Sequence, residues 1–347
     1  MKIIIITHET EGLKKDAKLY KKYFEKYNSN YIVEIVFVLY NGCIEKCNSN
    51  DILLFLENIP NDIKNLKSKL NLFMPNQELF KDFNNLKYIN TILCKTKIAE
   101  EMFNFMKKEH NLNYNVLYTK FSTYIVKELK NREIKKDPNL FVLLAGTSPY
   151  KNTAYVVYNW IKNNCYLDID IDTKVKLYIT CVGRCYDTLI NDLKNYLHYD
   201  IKWENTDTFI YKNLTIYNKF VNKEQYYYLL SSANVVICPS SKEGYSHNIN
   251  EARYFNSYVI TVDMPPMNEL IFDNVNGMLI KKIEKQEKKL YFTKFKLYSV
   301  YPDMDEMTEK IKYCIENKYT LNNNSRDFYN KDLKFFKSTI KKFINNI

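Results

Sequence analysis

The chain has 347 residues, 46% hydrophobic and 26% charged, proportions that exclude a disordered or fibrous protein and suit two α/β domains of ordinary size. Its formal net charge of +11 is spread along the chain, and the densest run, Lys281–Lys289, is diluted by Glu284 and Glu287; a solvated loop face is expected there, with contact to an anionic membrane surface as the second reading and no specific nucleic-acid site. Met1–Thr7 is a short apolar run that suits a buried strand rather than a signal peptide, and no apolar stretch approaches the ~20 residues that span a bilayer, so a soluble, cytoplasmic protein is expected.

Ile3–Thr7 is expected to be a strand and Glu11–Tyr27 an amphipathic helix, with Leu13, Ala17, Tyr20, Phe24 and Tyr27 at helical spacing. Tyr31–Tyr40, Asp51–Leu56 and Leu70–Met74 are strands, the last stopped by Pro75. Ile89–Cys94 is a strand, Lys97–His110 a helix and Asn115–Tyr118 a short strand. Strands separated by helices imply a parallel sheet with right-handed crossovers. The polar segment Lys127–Asn139, ending in Asp137-Pro138-Asn139, is the candidate hinge.

A second series then begins. Strands are expected at Leu140–Ala145, Lys176–Cys181, Thr215–Tyr217, Val235–Cys238, Tyr258–Val262 and Met278–Ile280. Helices are expected at Asn152–Asn163, Glu224–Ser232 and Ile249–Phe255, with Met304–Glu316 and Arg326–Ile344 closing the chain after a long basic insertion. Two such domains place ligands at the carboxyl ends of their strands, in the cleft between them.

The eight cysteines, at 43, 47, 94, 165, 181, 185, 238 and 314, include two pairs with three-residue spacers. Zinc pairs on turns usually have two intervening residues, so reduced, partly buried thiols are expected. Asp168, Asp170 and Asp172 lie in a polar stretch and are read as a loop, not a metal site. The 31 Tyr and 20 Phe accompany heavy use of Lys, Asn and Ile, the bias of an AT-rich genome, and are not taken as a base-stacking surface. His110 and His198 lie on polar helix ends and receive no role.

The segment Cys238–Glu251 carries the chemistry. Glu243 and Glu251 stand eight positions apart, with Gly244 and small polar residues between them and a helical pattern starting there. Carboxylates accept hydrogen bonds from hydroxyls, and a helix N-terminus attracts anions. Gly244 permits close backbone approach. A ligand with both sugar hydroxyls and phosphates would use both parts. Taken alone, the spacing also suits a surface turn before an ordinary helix.

The longer stretch Val235–Arg253 resembles the donor-site signature of retaining GT-B glycosyltransferases of the family-4, or group 1, type. The likeness continues through Val259–Asp263, Met264-Pro-Pro-Met-Asn-Glu269 and Asn276-Gly277-Met278-Leu279-Ile280, about 45 positions in all. Leu143–Thr153 resembles the first strand and loop of the donor domain. Thr147 or Ser148 stands where the family places the first of two basic residues, and Lys151 fills the second. Arg184 and Lys223 are candidates to complete the pair. Phe73–Glu78 and Leu93–Lys97 resemble acceptor-domain segments of some bacterial and viral members, and Ser325–Phe336 resembles the last GT-B helix.

The resemblance implies an α/β, GT-B architecture of two Rossmann-like parallel-sheet domains facing a cleft. Its expected divisions are an acceptor-side domain over 1–135, a nucleotide-sugar domain over 136–325, and a helix over 326–347 that crosses back to the first domain. Glu243 would be the catalytic residue, holding donor-sugar hydroxyls, and Glu251 would hold the ribose. Gly146, Lys151, Gly244, Tyr245, Ser246, His247 and Asn248 complete the implied donor site. His8, Gly12, Asn76 and Glu78 are the acceptor or cleft candidates. The implied activity is hexose transfer from a UDP- or GDP-sugar co-substrate to a hydroxyl with retention, without a metal or other cofactor. The acceptor would be a glycan, a lipid-linked group or a protein. The rivals are a catalytically lapsed GT-B domain that binds a glycan, protein or nucleic acid, and a nucleotide-sugar epimerase.

Overall fold

The computed structural model describes residues 2–38, 47–123, 135–163, 175–197, 207–321 and 324–347. The first domain contains β1 (Lys2–Thr7), α1 (Glu11–Tyr27), β2 (Ile32–Phe37), β3 (Ile52–Leu56), β4 (Leu70–Met74), β5 (Thr91–Cys94), α2 (Lys97–Glu109) and β6 (Asn115–Tyr118). These strands form a six-stranded, wholly parallel sheet in the order β2-β1-β3-β4-β5-β6. Ile3 and Ile5 face α1, while Ile4 and Ile6 face α2. Burial on both faces explains why β1 and β3 read as unbroken apolar runs.

The second domain contains β7 (Asp137–Gly146), α3 (Thr153–Lys162), β8 (Lys176–Cys181), α4 (Arg184–Leu197), β9 (Thr208–Tyr211), β10 (Leu214–Tyr217), α5 (Lys223–Ser232), β11 (Ala233–Cys238), α6 (His247–Tyr254), β12 (Tyr258–Val262) and β13 (Gly277–Ile280). Its seven-stranded sheet runs β13-β12-β11-β7-β8-β10-β9 and is parallel except for the edge strand β9. A hairpin, β14 (Ile283–Lys288) and β15 (Leu297–Pro302), follows, then α7 (Met304–Glu316) and α8 (Ser325–Asn345).

Several sequence expectations change. Asp137–Asn139, assigned to the hinge, belongs to β7, where Ala233 of β11 pairs with Asp137. The rest of the proposed hinge, through residue 134, lies outside the described residues, as do Cys43, Cys165, Asp168–Asp172, His198 and the end of the expected second strand. α4 and β9 had no counterpart in the sequence reading. The basic run Lys281–Lys289 is not a loop but largely the exposed strand β14, paired antiparallel to β15. Its hairpin turns back to the first domain: Leu297 joins the core around α2, and Phe292 stacks on Phe83 with ring centroids 5.7 Å apart. His110, given no role from sequence, places Nε2 2.7 Å from the Phe292 carbonyl. Glu109 accepts from Thr293 Oγ1 at 2.6 Å. Cys47 and Cys185 are partly buried and Cys94, Cys181, Cys238 and Cys314 buried; all six are free thiols. No cluster of metal ligands occurs among the described residues, and no described helix is long and apolar enough to cross a membrane.

The two domains share one core. It runs from the inner face of the first sheet through α1, α8, α6 and α5 to the β7 and β11 face of the second. α8 is its central strut. Phe336, fully buried, meets Tyr20, Tyr23 and Phe121 of the first domain at centroid distances of 6.0, 5.6 and 5.3 Å. A helix of 21 residues presenting one apolar stripe explains why this segment crosses back. Phe336→Ala is expected to cost about 3–5 kcal/mol in denaturant unfolding of the full chain. A loss below about 1 kcal/mol would show that this contact does not anchor the helix.

Candidate active site

Chemistry collects where parallel strands end. The loop after β1 starts α1, capped by Thr10, whose Oγ1 accepts from the Leu13 amide at 3.4 Å. β4 ends at Met74 and delivers Pro75-Asn76-Gln77-Glu78, and β5 ends beside Lys95. Across the cleft, β11 delivers Glu243–Asn248. These segments enclose a cavity of about 300 Å³ lined by Gly12, Lys15, Asp16, Glu57, Asn76, Glu78, Lys95, Lys151, Tyr226 and Glu243–Asn248. A larger hollow of about 1020 Å³ lies at the opposite, amino ends of β7 and β8, beside Lys136 and Tyr227. It borders residues outside the described set and lies away from the carboxyl ends of the strands, where such folds bind ligands, so the smaller cavity is the candidate site.

The turn after β11 fits only because residue 244 is Gly. A Cβ there would lie 2.4 Å from Asn76 Oδ1 and 2.7 Å from its Cγ, far inside contact distance. Beside it Gln77 Nε2 donates to the Glu243 carbonyl at 2.9 Å, closing the domains on each other. Ser246 takes a left-handed conformation, φ 74°, and α6 starts at His247, two residues earlier than its apolar pattern suggests. Ser246 Oγ donates to Asn248 Oδ1 at 2.9 Å. A non-glycine residue held at positive φ is backbone strain, and such strain concentrates at functional sites. Tyr245 is buried in support of the turn: its hydroxyl donates to the Phe121 carbonyl at 2.6 Å and accepts from Asn250 at 2.6 Å.

Each signature glutamate is met by a lysine. Glu243 pairs with Lys151, whose Nζ also lies 3.4 Å from Asn248 Oδ1. Glu251 is fully buried one layer behind the cavity wall. Its Oε1 pairs with Lys15 of the first domain and its Oε2 accepts from the Tyr226 hydroxyl at 2.7 Å. Lys15 and Tyr226 therefore connect it to the cavity. Burial and the Glu251 charge push the Tyr226 phenol far up, so it remains a donor.

A second network joins the domains below. Asp16 lies 3.2 Å from Lys95 Nζ and 2.7 Å from His247 Nε2, and His247 Nδ1 lies 2.8 Å from Thr123 Oγ1. Burial opposes the Asp16 charge, yet Lys95 and His247 hold its carboxyl below the ordinary range. Lys95, itself buried, also bonds Asn76, whose amide donates to Glu57. Glu78 differs in having no cation paired with its carboxylate among the described residues, and its Oε2 is buried without a hydrogen-bond partner. Burial, then the charges of Glu243 and Glu57, push its carboxyl up to about 7 against the pull of its own backbone amide and Lys95. Burial also pushes the Cys238 thiol up to about 12, which removes it as a nucleophile.

Gly12, Asn76, Glu78, Lys151, Glu243, Gly244, Tyr245, Ser246, His247 and Asn248 are thus brought together. His8 is not: it is buried beside Val38, whose carbonyl lies 3.0 Å from its Nδ1. Gly146 ends β7 with φ 58° and its carbonyl accepts from Val182, outside the cavity lining. Arg184 and Lys223 are exposed and do not line it either. The first domain instead supplies the further cations, Lys15 and Lys95, which sequence reading did not select. The signal for Lys95 was present: a lysine directly after a buried strand. Lys15 sits on the polar side of an amphipathic pattern and gave none.

Residues 208–312 match the family model for glycosyl transferases group 1. Among solved structures, the chain is similar to a glycosyltransferase from Rickettsia africae, at 11% identity and a TM-score of 0.62, over 98% of this chain and 96% of that one. Sucrose-phosphate synthase from Thermosynechococcus elongatus shares 9% identity at a TM-score of 0.63, over 100% and 98%. The pneumococcal O-GlcNAc transferase GtfA, solved with UDP and GlcNAc, shares 13% identity at 0.56, over 86% of this chain and 56% of its own. The chain thus spans little more than half the length of that transferase. No curated protein sequence matches it. The molecule has the GT-B fold, and the match to the group 1 model falls within its second domain.

Glu78 generates a pH signature. A folded-state carboxyl raised above its ordinary 4.5 to about 7 makes the chain lose stability as pH rises between those values, with no further change above. Glu78→Gln lacks this slope. The variant's thermal midpoint minus that of the wild type should climb from about pH 4.5 to 7 and then level off. A constant difference across that window would remove the argument.

Proposed function

We propose that the chain is a metal-independent, retaining glycosyltransferase that moves a hexose from a UDP- or GDP-sugar to an acceptor hydroxyl. The observation that carries this reading is the pairing of Glu243 and Lys151 at the strained start of α6, in a cleft between two Rossmann-like domains. A nucleotide diphosphate seated there would meet the first-turn amides of α6 and Lys151, both suited to negative charge. Glu243 would then accept bonds from sugar hydroxyls. Each carboxylate oxygen accepts more than one hydrogen bond. A ribose hydroxyl would therefore replace or join Lys15 at Glu251, leaving Lys15 to turn toward the phosphates.

The chemical demand is modest in kind. The bond from the anomeric carbon to the diphosphate breaks, a bond to the acceptor oxygen forms, and the acceptor proton must leave. Stabilising the departing phosphate is the largest contribution such a site makes. Lysines and helix amides fixed before reaction provide it without reorganisation, and His247, held by Asp16 and Thr123, stands beside the same helix start.

The test is transfer measured with a panel of UDP- and GDP-sugars, alongside nucleotide binding by calorimetry. Glu243→Ala should lower transfer by about 10²–10³-fold, with a thermal midpoint close to wild type because the residue is partly exposed. Lys151→Ala should weaken both nucleotide binding and transfer. Salt-sensitive DNA binding without affinity for any nucleotide sugar would overturn the reading in favour of a lapsed module. Sugar interconversion without an acceptor would make the chain an epimerase.

A further inference from the structure

A second cavity, of about 180 Å³, opens on the far side of Glu78 and Glu243, which line both hollows. Its outer wall is the β14–β15 hairpin, and three lysines enter it: Lys242 from the signature loop, and Lys288 and Lys296 from the hairpin. Lys242 and Lys288 have no carboxylate partner among the described residues. Lys242 lies over the Tyr150 ring at 3.8 Å, and Lys288 donates only to the Glu78 backbone carbonyl. Lys296 pairs with Glu287 at 3.2 Å toward the solvent side.

Gathering ammonium groups around one small hollow costs free energy, because like charges repel and the half-buried one is desolvated. The cost is visible at Lys288, whose pKa is lowered by burial and then by the Lys242 charge. The Tyr150 ring, the Glu78 carbonyl and the Glu78 charge offset it only in part. The carboxyl that could balance them, on Glu78, is itself the one most easily neutralised. A hollow built this way is complementary to an anion. Its position adds the second half of the argument. It shares Glu243 with the donor cavity, so a group held in it can extend a hydroxyl toward a sugar held by Glu243.

We infer that this hollow is the acceptor subsite and that the acceptor carries a phosphate group, seated between Lys242 and Lys288 with Lys296 at the rim. The assignment rests on the transferase reading of the adjoining cavity. It gives the hairpin a purpose: it brings the cations and, through its grip on α2, fixes them against the first domain. Lysine suits a phosphate here because each ammonium acts as a point charge with three donors.

The test uses the full chain at low salt, where charged contacts are least screened. Glycerol 3-phosphate and neutral glycerol are titrated with and without UDP. Phosphatidylcholine vesicles with and without phosphatidylglycerol form the lipid arm. The wild type should bind glycerol 3-phosphate and not glycerol. Lys242→Ser with Lys288→Ser should weaken that binding by about tenfold or more, whereas Lys242→Arg with Lys288→Arg should retain it. UDP affinity should stay within about twofold in both, since neither lysine lines the donor cavity. Vesicle binding that needs phosphatidylglycerol and both lysines would assign the phosphate to a lipid. Binding of glycerol 3-phosphate without vesicle binding would assign it to a soluble acceptor. Equal phosphate binding by wild type and the serine variant, or none by either, overturns the inference. A chain that binds glycerol 3-phosphate but no nucleotide would instead sink the transferase reading and keep the anion site.

Discussion

The fully buried guanidinium of Arg253 holds the rest of the structure in register. It lies on α6, two residues beyond Glu251, and its donors reach Asn250 at 2.9 Å and Asp332 of α8 at 2.7 Å. Asp332 in turn takes Lys120 of the first domain at 2.8 Å. A buried charge pair of this kind adds little net stability over apolar packing, but losing one partner costs about 3–5 kcal/mol because the other charge is stranded. The arrangement therefore acts as a specificity device. It permits one rotation of α6 against α8 and one seating of α8 against the first domain. The apolar contacts of Phe336 would tolerate small slides, and the ion pair does not.

With α6 fixed, the charges of the cleft fall into place. Asp16, Glu57, Glu78, Glu243 and Glu251 converge there with Lys15, Lys95 and Lys151. Four of the five carboxylates have a lysine or an amide donor, and the fifth, Glu78, is the one with the raised pKa. The pattern is a division of labour by electrostatics. The paired carboxylates are held in place by their donors and can accept further hydrogen bonds from hydroxyls. The unpaired one changes protonation near neutrality and sits between two hollows. The basic hairpin reverses the balance outward, from an excess of carboxylates inside to an excess of positive charge at the cavity mouth.

Much of this was legible in the sequence because local and global preferences agree. Glu11–Tyr27, Leu70–Met74, Asn115–Tyr118, Lys176–Cys181 and Met304–Glu316 carry both the periodicity and the boundary residues of their elements, and they occur with those bounds. The hairpin was hidden because β14, Ile283–Lys288, is charged at most positions and nearly all exposed; its strand character comes from pairing to β15 and from Leu297 reaching another domain's core. α4 escaped because it begins in a Gly183-Arg184 turn with no side-chain cap to announce it. The glutamates were readable as a pair, but not their depth. Glu251 shares the α6 face of His247 and Asn248 but sits one turn further along the helix, which places it behind the wall that those two line. His8 misled in the same way: it follows the first strand, yet its ring is turned toward Val38 and the edge of the sheet.

The turn at Gly244 shows why the two domains act as one site and not two. Its missing side chain lets the β11 loop touch Asn76, and Gln77 fastens that contact through the Glu243 carbonyl. The Asn76 side chain leaves no room for a Cβ at 244, so the loop that carries Glu243 is seated against both domains at once. Two residues on, Ser246 is held in a left-handed conformation that starts α6 early, with His247 and Asn248 lining the cavity. Such strain persists only where surrounding packing over-determines it. Here that packing is Tyr245, bonded to the first domain at Phe121 and to Asn250, which in turn holds Arg253. The chain of contacts thus closes on itself: the buried ion pair fixes α6, the tyrosine carries that rigidity to the strained turn, and the turn presents its carboxylate to a cleft whose opposite wall helped to shape it.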